Sequence, residues 1–186
     1  MEFIEEIKKL ENTYQYKEEY MIAEGISPVI ITNIPNKDSN ELQEQYIRAI
    51  ARYVAANTNA SYLVKTKDRI DYSEEEFKKL LSSLIEKHNI TLLINLSNTK
   101  ENEDIVYELQ RNESNYTMIK ELEDAFHENG ITNYKYNEIS STNDLNIDKI
   151  NIGINEKCRD IDNLNKLENV CLALINYIKM YTNYTD

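Results

Sequence analysis

The sequence of 186 residues contains few of the residue types on which common functional sites depend. With three glycines and two prolines, it can form neither the GxGxxG dinucleotide loop nor the GxxxxGK[ST] phosphate loop. It has no tryptophan and only two histidines, His88 and His127. Neither histidine has a second histidine or a glutamate at HxH, HxxE or HExxH spacing, so both are expected at helix ends rather than on a metal.

Cysteine is equally scarce. Cys158 and Cys171 are the only two and form no CxxC pair, which indicates neither a zinc knuckle nor a disulfide framework. Cys171 lies on an apolar helix face and is expected in the core. For Cys158 two interpretations stay open, packing and a thiol nucleophile, and packing is favoured because a single cysteine without a paired histidine rarely acts as one.

Long apolar runs and basic stretches are also missing. The longest apolar segments, PVIIT and ITLLINL, are the length of strands, and the N-terminus MEFIEEIKKL is acidic and amphipathic rather than a signal segment. The formal net charge is -12, which opposes binding to phosphate backbones and anionic lipid. We therefore expect no nucleic-acid partner, no membrane partner and a cytoplasmic location.

Hydrophobic periodicity predicts an N-terminal amphipathic helix over residues 2–18, within a segment 1–24, followed by one α/β domain over residues 25–186. Short connections between alternating strands and helices favour a three-layer αβα sandwich with a mostly parallel or mixed central sheet. Strands are predicted at 28–34, 61–66, 90–96, 104–109, 132–139 and 149–155, and helices at 42–56, 73–89, 115–128 and 163–181.

In folds of this kind ligands collect beyond the carboxyl ends of the strands. Three loops occupy that position in the predicted order, at residues 33–39, 95–100 and 155–163. The loop at 95–100 offers only Asn95, Ser97, Asn98, Thr99 and Lys100 as polar side chains, without the carboxylates and imidazoles that carry acid-base or metal chemistry. This loop is therefore poorly equipped for catalysis.

Three segments carry a family resemblance: SPVIITNIPN, LLINLSNT and INIGINEKCRDIDN. Their order resembles the N-formylglutamate amidohydrolase family of zinc-dependent hydrolases, especially its short clostridial-type bacterial members, over about residues 25–180. In that family they look like the strand ending in Pro-His-Gly, the Leu-Ile-Asp-Leu-His-Gly strand and the Glu-Ile-Asn-Arg-x-x-Arg-Asp segment. The resemblance implies a hydrolase fold.

The same resemblance implies that the family's zinc and base positions are replaced. Either Pro35 or Asn36 stands where the family has its first histidine, Gly153 stands at the glutamate and Glu156 at the first arginine. The fourth catalytic segment, after VKTK, looks shortened to DRIDYS. Asn95, Leu96, Ser97 and Asn98 replace Asp-Leu-His-Gly, while Asn155, Arg159 and Asp160 are retained.

These replacements bear directly on chemistry. A catalytic zinc takes its protein ligands from His, Asp, Glu and Cys, and neutral amide or hydroxyl oxygens hold it weakly. We therefore expect no metal, no cofactor and no catalytic residue. The residues expected to line a vestigial ligand-binding cleft are Asn36, Asn95, Ser97, Asn98, Asn155 and Arg159.

Arg159 is open to two interpretations, an ion pair with a neighbouring acid or the binding of a small carboxylate ligand. The leading hypothesis is a catalytically inactive amidohydrolase-like protein that binds another protein, itself or a small anion. One alternative is an active hydrolase of an N-acyl amino acid or related amide with a rearranged site. Another is a structural or assembly protein whose acidic N-terminal helix docks on a partner.

Overall fold

The computed structural model describes residues 2–12, 20–33, 46–65, 74–110, 116–138 and 145–183, which contain seven strands and six helices. The strands are β1 (Tyr20–Ala23), β2 (Val29–Asn33), β3 (Ser61–Lys65), β4 (Leu92–Thr99), β5 (Ile105–Gln110), β6 (Tyr134–Tyr136) and β7 (Asp148–Asn155). The helices are α1 (Glu2–Asn12), α2 (Ile47–Thr58), α3 (Glu74–His88), α4 (Tyr116–Glu128), α5 (Glu156–Arg159) and α6 (Leu164–Asn183).

The strands form one mixed sheet in the order β1-β3-β2-β4-β7-β5-β6. Its centre, β3-β2-β4-β7, is parallel, whereas β1 is antiparallel to β3, and β5 is antiparallel to β7. Helices cover both faces, so the predicted three-layer αβα sandwich with a mixed sheet is confirmed. Because β2, β4 and β7 run in the same direction, their carboxyl ends meet at one edge, as the site prediction requires.

The two faces of the sheet have different cores. One face packs against α1, α2, α4 and α6, and it contributes alternate residues such as Ile94, Leu96, Ile152 and Ile154. The opposite face packs against α3 through a smaller cluster in which Leu93 meets Phe77, Leu81 and Leu84, together with Ile30 and Leu63. This smaller cluster draws its buried strand residues from β1, β2, β3 and β4, so α3 covers one half of its face.

Helix α1 is shorter than the pattern predicts, since it ends at Asn12 and residues 13–19 lie outside the described part of the chain. Its apolar stripe packs on α2: Ile7 is fully buried and the ring of Phe3 meets that of Tyr53 edge-on at 5.0 Å. Strand β1, which the sequence analysis did not predict, follows at Tyr20–Ala23. The division of the chain at residue 24 and the docking of α1 on a partner stay predictions.

Two helices stop where their sequences indicate. Asn59 after α2 and Asn89 after α3 adopt left-handed φ angles of 52° and 50°, a conformation that Asn tolerates well at helix ends. Gly130, two residues after α4, does the same at 72°. Ser73 and Glu76 have the spacing of a capping box for the start of α3, but Ser73 lies outside the described residues.

Candidate functional site

The strand ends carry neutral side chains that bond to one another. Asn33, at the end of β2, is fully buried and donates from its Nδ2 to the carbonyl of Leu96 on β4 at 2.9 Å. The Thr32 hydroxyl donates to Oδ1 of Asn95 at 3.1 Å. Nδ2 of Asn95 in turn approaches Oδ1 of Asn151 on β7 at 3.4 Å. This edge of the sheet is therefore fixed by amides and hydroxyls.

One turn of helix, α5, carries the charged group of the site. Oδ1 of Asn155 accepts from the backbone N–H of Lys157 at 3.0 Å, which caps the turn, and its Nδ2 donates to the carbonyl of Glu101 at 2.6 Å. The turn brings Arg159 back onto the strand it follows, where Nε donates to the carbonyl of Ile154 at 3.2 Å. Its guanidinium also donates to Oδ1 of Asn98 at 2.5 Å.

Arg159 is 3% exposed, so its charge sits in a desolvated position that only strong hydrogen bonds make tolerable. Beside it lies an open cavity of about 770 Å³. Lys100 and Lys157 also line the cavity, opposed by Glu156 and Asp160. Tyr46, the N-cap residue of α2, also lines the cavity, and its φ of 65° is left-handed. The cavity thus combines three cationic groups with a helix N-terminus, whose dipole is positive.

A second, smaller cavity of about 320 Å³ lies on the other face of β4 and β7. We call it the amide groove, and the residues that line it include Asn95, Ser97, Glu108, Asn137, Asn151 and Gly153. Its floor is at Gly153, where an added Cβ would lie 2.9 Å from the Thr99 Cβ and 3.4 Å from the Val106 carbonyl oxygen. A side chain would therefore crowd the floor.

The predicted site residues fall into two groups. Asn98, Asn155 and Arg159 line the large cavity; Asn95, Ser97 and again Asn98 line the amide groove. Asn98 therefore belongs to the wall between the two cavities. Asn36, like Pro35, lies outside the described residues. The ligand-binding role of all six stays a prediction.

Some lining residues were not predicted. Lys100 and Lys157 look like ordinary surface lysines in the sequence, and Tyr46 has the helical spacing typical of a residue at the edge of the core. Glu108 and Asn151 face the amide groove because they are directly opposite in the β5-β7 pairing. The signal that could have found them is the alternation along β5 and β7, since every second residue shares a face.

The donor set of the strand ends does not fit a catalytic metal. Among the described residues, no three His, Cys, Asp or Glu side chains lie close enough together to hold an ion. The nearest strand-end groups are neutral amides and a buried guanidinium, and a cation of that kind repels a metal ion. The absence of a metal from the whole chain stays a prediction, because residues 34–45 and 66–73 are not described.

The remaining reactive side chains are occupied elsewhere. Burial, reinforced by the nearby carboxylate of Asp104, raises the pKa of the Cys158 thiol to about 12, so the thiolate that a nucleophile requires is scarce at neutral pH. His88 Nε2 lies 3.3 Å from a carboxylate oxygen of Glu24, and His127 Nε2 lies 2.9 Å from the Tyr134 hydroxyl. Both histidines therefore pair with side chains rather than only with helix-end carbonyls.

No family model and no curated protein sequence matches the chain. Several solved structures do match the chain in fold. The N-acetylmuramoyl-L-alanine amidase AmiC2 of Nostoc punctiforme superposes with a TM-score of 0.53 at 11% identity, over 87% of this chain and 99% of that one. The catalytic domain of the CD27L endolysin targeting Clostridia Difficile gives 0.56 at 15%, over 82% and 96%. A bacteriophage poly-gamma-glutamate hydrolase gives 0.53 at 12%, over 97% of both chains.

At these identities the likeness establishes the fold, which is that of amidases and related hydrolases. The resemblance to the N-formylglutamate amidohydrolase family is wrong, since the matching structures are N-acetylmuramoyl-L-alanine amidases and other hydrolases. It rested on buried strands that each lead into a polar loop, and this order is common to many sheets of this architecture. The residue roles that it implied for Asn36, Gly153 and Glu156 lose their basis with it.

Proposed function

We propose that this chain is a non-catalytic binding protein built on a hydrolase fold, and that the large cavity holds a small anion such as a carboxylate. The observation that carries the proposal is the buried Arg159 guanidinium, fixed by Ile154 and Asn98 at the wall of that cavity. A rigidly held guanidinium matches the two oxygens of a carboxylate, and its orientation is set before any ligand arrives.

The surrounding charges support an anionic ligand. The chain has 33 acidic and 21 basic residues, and the cavity is lined by three basic ones, Lys100, Lys157 and Arg159, and by three acids, Glu101, Glu156 and Asp160. One of the acids there, Glu101, is paired with Lys135 at 2.7 Å, which offsets its charge. The N-terminus of α2 at Tyr46 adds a positive dipole end.

The absence of catalysis rests on the chemistry of the described strand ends. Hydrolysis of an amide requires a base or an activated nucleophile, and these ends supply Asn33, Asn95, Ser97 and Asn155. The one buried thiol nearby, Cys158, has its pKa raised to about 12. Binding without turnover is the activity that such side chains suit.

The test measures binding of glutarate by calorimetry, with the uncharged glutaramide as comparison. The exposed double variant Lys100→Gln/Lys157→Gln should weaken glutarate binding about threefold to thirtyfold, given that each charge contributes up to about 1 kcal/mol. Lys78→Gln/Lys79→Gln on the outer face of α3 is the matched control, because it changes the net charge equally. Equal weakening in both double variants, or no glutarate binding at all, contradicts the proposal.

A second candidate is an active amide hydrolase with a rearranged site. The observation favouring it is the fold shared with an N-acetylmuramoyl-L-alanine amidase, an endolysin and a poly-gamma-glutamate hydrolase. Zinc near one equivalent in the purified protein, together with turnover of a cell-wall peptide or poly-gamma-glutamate, would establish it in place of the binding protein. Neither is expected.

The partners and the location of the chain stay predictions. Among the described residues no helix is both long and apolar enough to cross a bilayer. Self-association, a protein partner and a cytoplasmic location are each compatible with an anion-binding role. Purification from the native cell, with fractionation of the compartments, would test all of them.

A further inference from the structure

We infer that the amide groove is a second binding site, separate from the anion cavity and suited to an uncharged amide group such as a peptide unit. It goes beyond the proposed function because it uses other residues on the opposite face of the sheet. It rests on a row of side chains whose hydrogen bonds run in one direction.

The row crosses four strands in register: Thr32 is opposite Asn95, Asn95 is opposite Asn151, and Asn151 is opposite Glu108. The Thr32 hydroxyl donates to the Asn95 carbonyl oxygen at 3.1 Å, and the Asn95 amide nitrogen approaches the Asn151 carbonyl oxygen at 3.4 Å. The side-chain oxygens of Asn95 and Asn151 are therefore both used as acceptors.

The row of hydrogen bonds stops at Asn151 and does not continue to Glu108. Among the described residues, neither Nδ2 of Asn151 nor the carboxylate of Glu108 has a hydrogen-bond or ion-pair partner. Side chains directly opposite in an antiparallel pair have Cβ atoms about 5 Å apart, so this donor and this acceptor stand beside each other. One rung along the sheet, the Ser97 hydroxyl also lacks a partner among the described residues, next to Gly153.

A peptide group complements this end of the row. Its carbonyl oxygen can accept from Nδ2 of Asn151 while its N–H donates to Glu108, since both side chains line the groove. The charge of the groove favours the same class. Glu101 is offset by Lys135, which leaves Glu108 as an uncompensated carboxylate that repels anions.

The experiment records amide chemical shifts of the ¹⁵N-labelled protein during titration with N-acetylglycinamide, a neutral compound with two amide groups. N-acetylglycine, which carries a carboxylate, is the comparison. The neutral probe should shift the backbone signals of Ser97, Val106 and Gly153, which line the groove. N-acetylglycine should leave those three signals in place.

Two variants at one position separate hydrogen bonding from charge. Glu108→Thr removes the acceptor and should weaken N-acetylglycinamide binding about threefold to tenfold. Glu108→Gln keeps an acceptor oxygen and should bind the neutral probe within about threefold, while it also admits N-acetylglycine because the repulsion is gone. A purely structural role for Glu108 would not produce this exchange of preference.

Lys100→Gln/Lys157→Gln is the cross-control, since it alters the other cavity and should leave the amide probe unaffected. This arrangement keeps the two proposals distinguishable, because glutarate reports on one cavity and N-acetylglycinamide on the other. Absence of shifts at Ser97, Val106 and Gly153, or equal binding of both probes to the unaltered groove, overturns the inference.

Discussion

The two faces of β4 and β7 carry different kinds of side chain. On one face Ile94, Leu96, Ile152 and Ile154 are closed over by helices and exclude water. On the other, the residues between them along the same strands line the amide groove. The comparison teaches that a strand can specify the fold with one set of alternate residues and leave the other set for binding.

The largest difference between the two faces is expected from substitutions at two adjacent residues of β4. Leu96→Ala removes a fully buried side chain and should lower the free energy of unfolding by about 3 kcal/mol, whereas Ser97→Ala should change it by less than about 0.5 kcal/mol. Urea unfolding of both variants measures the difference. Similar losses in the two would show that both faces belong to the core.

The next effect concerns the wall shared by both cavities. Asn98→Leu removes one acceptor, Oδ1 of Asn98, from the buried Arg159 guanidinium and should cost about 1–3 kcal/mol of unfolding free energy. Asn98→Asp restores an acceptor and should recover most of that loss. If Asn98→Leu is as stable as the unaltered chain, Asn98 does not hold Arg159 in place.

A smaller effect is expected at the floor of the amide groove. Gly153→Ala introduces a Cβ 2.9 Å from the Thr99 Cβ and should lower the free energy of unfolding by about 1–2 kcal/mol. It should also weaken binding of N-acetylglycinamide, because Thr99, which lines the groove, would have to shift. A variant with unchanged stability and binding would indicate that a Cβ at position 153 fits beside Thr99 without displacing it.

The smallest effect concerns the attachment of α3, the helix on the groove side. Hydrogen bonding to Lys87 lowers the pKa of Glu24, so this pair contributes stability above the ordinary titration range of glutamate and loses it as the pH falls through the lowered pKa. Glu24→Gln should therefore reduce the loss of melting temperature between pH 6 and roughly pH 3. Glu128→Gln, at an exposed position of α4, should leave that loss unchanged.

The apolar face was the part of the molecule that the sequence predicted well. Runs such as VIIT and LLINL mark strands that are buried on at least one face, and the helices around them follow from periodic Leu, Ile and Val. Strand β1 was missed because YMIA is only four residues long and sits at a sheet edge. Strand β7 continues through Gly153, and the Thr99 side chain occupies the space that a Cβ there would take.

The candidate site was predicted only in part. Asn98, Asn155 and Arg159 were expected near one another because they follow parallel strands. The row from Thr32 to Glu108 could not be predicted, since it depends on the antiparallel register of β5 against β7, and no local pattern encodes that register. The assigned family was wrong for a similar reason, because the order of segments is common to many folds whereas motif residues are specific.

Helix α5 is one turn long, and Asn155 and Arg159 stand at its two ends. Each residue of a helix turns the chain by about 100°, so inserting or deleting a single residue between them would swing the guanidinium to another side of the turn. The spacing between Asn155 and Arg159 therefore fixes the position of the guanidinium. A change of length here would break its hydrogen bonds to Ile154 and Asn98. In related chains, length changes should accumulate in other connections and spare this one.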